Sequence, residues 1–202
     1  MNLIDWLSLA GVCLLGAMSP GPSLAVVVKH TLRSGAGSGI QAGLAHGSGV
    51  ALYAVVVVSG LALVITASPL LYQSIQWAGV AFLLYLGLQS LRSSGAAMLD
   101  SSEASGKLQG PAVQGFTVAF LNPKLAVFFL ALFSQFLRPE AALTEKTLMV
   151  ATVGSIDALW YCTVSLLLAR PGILQRLRAS QQLIDRLFGI ILIALAIRVA
   201  IT

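Results

Sequence analysis

Met18-Ser19-Pro20-Gly21-Pro22-Ser23-Leu24-Ala25-Val26 lies inside one long apolar run, and Leu121-Asn122-Pro123-Lys124-Leu125-Ala126-Val127 lies at the matching place in another. Each run opens one half of the chain. Proline removes a backbone donor and clashes with the carbonyl one turn back, so each copy is expected to break a helix. In hydrocarbon a break is tolerated only where protein buries it or where it lines a watery cavity. Paired breaks at corresponding places in two halves point to a transporter's substrate site. The shared letters are common in this chain, and the matched position carries more weight than the letters do.

The environment follows from composition. The chain has 202 residues, of which 57% are hydrophobic and 9% charged. A soluble domain carries roughly 25% charged residues, so this chain lacks the polar residues to cover a water-facing surface. It reads as an all-α integral membrane protein whose partner is the lipid bilayer. The net charge of +5 sits mostly in loops between apolar runs, where membrane topology explains it and nucleic acid is not needed. Cys13 and Cys162 lie in apolar segments with no CxxC, which excludes a disulfide scaffold. The start of the chain lacks Lys or Arg and a small-x-small cleavage site, so it does not read as a cleaved signal peptide.

Six spans are expected, each near the ~20 residues a bilayer needs: about Leu3–Val28, Gly39–Thr66, Pro69–Leu91, Ala112–Leu137, Thr144–Leu168 and Leu183–Ile201. Residues 92–111 read as a polar linker. Residues 1–91 then form a first three-helix repeat and 112–202 a second, with helices 1 and 4 broken. Three crossings per half invert the second repeat relative to the first. With the N-terminus outside, Lys29, Arg33, Arg92, Lys107, Arg170, Arg176, Arg178 and Arg186 fall inside, and Arg138, Lys146 and Arg198 outside. The positive-inside rule therefore places both termini on the outer face.

The candidate site residues follow from the breaks. Pro20 and Pro22 leave carbonyls unpaired, and Gly21 admits a close approach. A half-helix starting near Ser23 points free amides and the positive end of its dipole into the gap, which suits a carboxylate. The bland reading is a kink. Near Pro123, Lys124 offers an ammonium at a depth where a charge costs ~2.5–3.5 kcal/mol, and the Asn122 amide both donates and accepts. Asp157 is read as the one acidic residue deep in a span, either a proton-loading group, a contact for a substrate's ammonium, or the neutralising partner of Lys124. The glycines at 35, 39, 43 and 47, with Gly49 beyond, form a packing stripe, within one subunit or between two. His46 reads as hydrogen-bonded structure, His30 as solvated. Trp6, Trp77, Tyr72 and Tyr161 are placed at span ends as interfacial aromatics.

With these residues in view, the chain resembles the LysE/RhtB family of bacterial amino-acid exporters. Met18-Ser19-Pro20-Gly21-Pro22 resembles its first-helix motif. Asn122-Pro123-Lys124 with Phe128-Phe129 and Gln135-Phe136 resembles its second. Trp77-Ala78-Gly79, Tyr85-Leu86-Gly87, Asp157 with Trp160, and Leu187-Phe188-Gly189 fit its later spans. Ser134 stands where the family often has proline, which leaves the end of span four less sharply bent. The resemblance implies export of an amino acid or close derivative from the cytoplasm, driven by the proton gradient; with the charge count, the chain reads as a non-enzymatic antiporter of the bacterial inner membrane with both termini periplasmic. It does not name the amino acid. No cofactor and no metal are called for, no GxxxxGK[ST] motif is present, and a homo-oligomer stays open. The rival readings are a membrane thiol-redox protein using Cys13 and Cys162, a metal-ion carrier, and a scaffold in which Lys124 and Asp157 merely pair.

Overall fold

A computed structural model describes residues 1–19, 21–92, 110–168 and 172–201, apart from the Arg178 side chain. Eight helices occupy them: α1 (Leu3–Met18), α2 (Pro22–Ser34), α3 (Ala36–Ala67), α4 (Pro69–Arg92), α5 (Pro111–Phe120), α6 (Pro123–Phe136), α7 (Leu143–Leu167) and α8 (Ile173–Ala200). The described residues contain no strand. The expected linker, residues 92–111, lies almost wholly outside them, as does Pro20.

Proline does not interrupt helices here so much as start them. Pro22, Pro111 and Pro123 each open a helix, where the missing donor is no loss and the fixed φ suits the first turn. α1 therefore ends at Met18 and α2 begins after a break, the two axes bent by 57°. α5 and α6 bend by 54° across Leu121 and Asn122. Asn122 caps α6, its side-chain oxygen accepting from the Lys124 amide at 3.0 Å, which satisfies one of the donors a helix start leaves free. α6 runs unbroken through Ser134.

α3, α4 and α7 are each long and apolar enough to cross a membrane, and the two bent pairs pass the same test together. That makes three to five candidate spans among the described residues where six were expected. The remaining one, Leu183–Ile201, falls inside α8. This helix begins ten residues earlier and carries Arg176, Arg178, Asp185, Arg186 and Arg198.

Two crossings where glycine meets glycine have no room for a side chain. A Cβ built on Gly47 of α3 would lie 2.9 Å from the Gly154 carbonyl oxygen of α7, and one on Gly154 would lie 3.3 Å from the Gly47 oxygen. A Cβ on Gly87 of α4 would lie 2.9 Å from the Gly189 oxygen of α8, and the reverse is 2.6 Å. Small residues let backbones meet, which is how helices associate where lipid removes the hydrophobic drive. Gly39 and Gly43 extend the first crossing against Ser165 and Tyr161. The glycine stripe therefore packs within one chain. Gly35 stands apart: at φ +85° it lets the chain turn from α2 into α3. A core of Leu9, Val50, Leu83, Phe129, Leu132, Phe133 and Leu192 fills the bundle. A smaller cluster around Leu24, Val27 and Tyr161 packs beneath the first break.

Candidate functional site

The two breaks meet. Gly21, Pro22 and Ser23 from the first, and Asn122, Lys124 and Leu125 from the second, line one cavity of about 90 Å³. That is several times the ~10–15 Å³ one water requires, so the space suits a small solute. Apolar walls come from Cys13, Val50, Leu86, Phe128, Phe129 and Phe188. The amino end of α2 faces this space, with no side-chain cap on its first amides. Such an end attracts negative charge through its free N–H groups and dipole. Lys124 stands at the amino end of α6, exposed; its backbone amide donates to the Asn122 side-chain oxygen, and its ammonium has no hydrogen bond or ion pair among the described residues. Pro123 starts that helix but does not line the cavity, and Pro20 lies outside the described residues.

Asp157, buried on α7, is also in the wall. Its partner is not Lys124. Its Oδ2 lies 2.6 Å from Nδ1 of His46 on α3, and His46 is 1% exposed. The second ring nitrogen, Nε2, is buried with no partner among the described residues. The ring also meets Tyr161 edge-on, centroids 4.9 Å apart. The contact puts a carboxylate oxygen within hydrogen-bond distance of an imidazole nitrogen inside the cavity wall, and which of the two donates depends on the tautomer of the ring. Reading His46 as hydrogen-bonded structure caught its bond and missed its place in the cavity wall. Nothing local in Ala45-His46-Gly47 marks a partner 111 residues away.

Other expectations change as well. His30 is not solvated: it is buried, with Nε2 2.7 Å from the Gln114 side-chain oxygen of α5. Tyr161 is not at an interface but 2% exposed. It sits in the cavity wall because the glycines of α3 draw α7 in beside it. Tyr72 is buried too, its hydroxyl donating to the Ser134 and Leu137 carbonyls at the end of α6. These acceptors belong to the last helical turn, which has no intrahelical donors for them. Asp5 and Asp185 are buried as well, Asp185 accepting from the Ser19 hydroxyl at the first break. Cys13 faces the cavity while Cys162 does not line it, and the two are free thiols. Among the described residues no three His, Cys, Asp or Glu side chains gather as a metal site would require.

Comparison with known proteins gives a family and several relatives. The family model described as LysE type translocator matches residues 14–202. The uncharacterized membrane protein YrhP of Bacillus subtilis is 24% identical over 91% of this chain and 92% of its own length. The uncharacterized membrane protein YahN of Escherichia coli is 26% identical over 93% and 85%. A homoserine/homoserine lactone efflux protein of Salmonella typhi is 32% identical over 67% and 66%. No solved structure matches the chain.

Proposed function

The chain belongs to the family of LysE type translocators, and from that premise we propose that it is a secondary exporter of an amino acid or close derivative, driven by proton entry. One observation carries the reading: the starts of both half-helices and the buried His46–Asp157 pair line the same small cavity. The solute's carboxylate meets the free amides of α2 and the Lys124 ammonium. Its amine meets the Asn122 side-chain oxygen or Asp157. The 32%-identical relative is named for homoserine and homoserine lactone efflux, which makes those two compounds the first to try.

In this proposal the His46–Asp157 pair takes a proton from one face and gives it up to the other. Each charge moved down the field supplies ~2.3 kcal/mol per 100 mV. Alternating access follows from two inverted triplets, α1 to α4 and α5 to α8, with α8 providing the sixth crossing. The packing supports this. Exchanging the triplets turns the α3–α5 contact into α7–α1, α2–α5 into α6–α1, and α3–α6 into α7–α2, and each of these contacts exists. The reciprocal glycine crossings lie between helices that the exchange swaps, α3 with α7 and α4 with α8. The match is partial, since α2 packs closely on α3 and α4 on α6, whereas the counterparts, α6 with α7 and α8 with α2, do not pack closely. The charge count favours both termini on the periplasmic side of the inner membrane.

The test is flux in proteoliposomes loaded with a panel of radiolabelled amino acids, homoserine among them, with and without a pH gradient. The proposal expects one solute class to move, faster with the gradient. Flux of none, or flux indifferent to the gradient for every solute, would remove it.

A further inference from the structure

A second cavity, about 340 Å³, opens at the end of the bundle where the chain begins. α1, α4, α6 and α8 help to line both cavities. From Cys13 to Asp5 along α1, and from Phe188 to Arg198 along α8, the distance at ~1.5 Å per residue is roughly 12–15 Å. Between the two spaces lies a layer of fully buried leucines, Leu9, Leu83, Leu132 and Leu192. The arrangement is a shaft with a polar space at each end of an apolar plug.

The outer of these spaces is built around a carboxylate. Asp5 is buried, and each of its oxygens takes one guanidinium. Arg138 Nη2 donates to Oδ2 at 2.8 Å, and Arg198 Nη2 donates to Oδ1 at 2.7 Å. Both arginine side chains are about half exposed, at 58% and 48%. Arginine's fixed fork of donors is suited to reading carboxylates, and here two forks converge on one. Beside them, Gln135 donates its amide hydrogens to the Gln76 and Ala131 carbonyls and to the Ser134 hydroxyl. Its own oxygen, Oε1, is buried and accepts nothing among the described residues. A buried acceptor left unpaired is costly, and a donor from a ligand would relieve that.

We propose that this vestibule is a second binding site, on the exit side, for the carboxylate and ammonium of an α-amino acid, and that Asp5 occupies it in the solute's absence. The inference rests on the amino-acid reading above. The solute's carboxylate takes Arg138, and its ammonium supplies the donor that Gln135 lacks. Asp5 then releases Arg138, which unties α1 from the end of α6. The clamp thus opens when solute arrives and closes behind it.

Trp77 lines the vestibule and serves as its reporter. A Trp6→Phe/Trp160→Phe protein in lipid nanodiscs retains it as the one tryptophan of three. The probe is glycine, with acetate as a carboxylate lacking the ammonium and sodium chloride as the ionic-strength control. Trp77 emission should change saturably with glycine, and less tightly with acetate. Affinity should rise at least threefold in Asp5→Asn, where the resident carboxylate is gone, and fall about tenfold in Arg138→Gln. Arg138→Lys, which keeps the charge, should still weaken it. Lys124→Ala, which alters only the mid-bundle cavity, should leave the titration unchanged. A flat glycine titration, a response that chloride reproduces, or indifference to Arg138→Gln overturns the proposal. If proteoliposomes transport amino acids while Trp77 stays silent, the vestibule falls alone. If no amino acid moves at all, the underlying reading falls first.

Discussion

Asp157→Asn separates what the buried pair does for the fold from what it does for transport. The His46–Asp157 contact is 2.6 Å long and both residues are buried. A hydrogen bond to a charged group is worth ~1.5–3 kcal/mol against ~0.5–1.5 for a neutral one. Asparagine retains an acceptor for Nδ1, so the expected loss of stability is about 1 kcal/mol, or roughly 2–4 °C in the thermal midpoint for a chain of this length. Asp157→Ala is a harsher change. It strips the partner from Nδ1 while Nε2 already has none among the described residues, and breaking a buried pair costs ~3–5 kcal/mol. The useful variant is therefore the asparagine. In proteoliposomes it should fold and still exchange solute down a concentration gradient, yet lose the acceleration that an imposed pH gradient gives. His46→Gln should reproduce the loss, and the double variant should be no worse than either, because the two groups act as one carrier. Gradient-driven flux that survives Asp157→Asn undiminished would refute the proton role. Equal loss of driven and passive flux would assign Asp157 to the solute instead.

Lys124→Ala should abolish export while the protein still inserts, checked by unchanged detergent-solubilised yield beside radiolabel flux. Gly47→Leu should destabilise the fold by ~1–3 kcal/mol or more. Even its first added carbon would lie 2.6 Å from the Ala158 Cβ and 2.9 Å from the Gly154 oxygen, and thermal melting in detergent reads the loss. Gly21→Ala meets nothing within 4 Å and should melt within about 0.5 kcal/mol of the parent. Tyr72→Phe removes the hydroxyl that donates to the Leu137 carbonyl, and leaves Ser134's carbonyl with the Gln76 amide alone. It should cost ~1–3 kcal/mol, measured the same way.

The breaks were legible because proline acts locally. Pro22 and Pro123 announce a missing donor and a fixed φ without reference to the rest of the chain. The close approach of α3 to α7 was half legible: four-residue glycine spacing marks a face, but the letters do not say which helix it meets. The partners of the charged groups were not legible. His46 with Asp157, and Asp5 with Arg138 and Arg198, join residues more than a hundred positions apart. In spans that are apolar nearly all round, no hydrophobic stripe tells which side faces the core. Tyr161 was misplaced for the same reason, since position near a span's end suggests an interface and only packing shows that α3 covers it. The extent of α8 escaped because its first turns are polar and read as loop.

Water and solute must share the space between the two breaks if the account is right. In a Cys13→Ser/Cys162→Ser background, which should retain export, Ser23→Cys places a thiol in the wall of that space. Its alkylation by a water-soluble maleimide should proceed, and should slow in the presence of whichever amino acid the protein transports. A thiol that never reacts, or one that reacts at the same rate with and without that solute, would contradict a shared site at the meeting of α2 and α6.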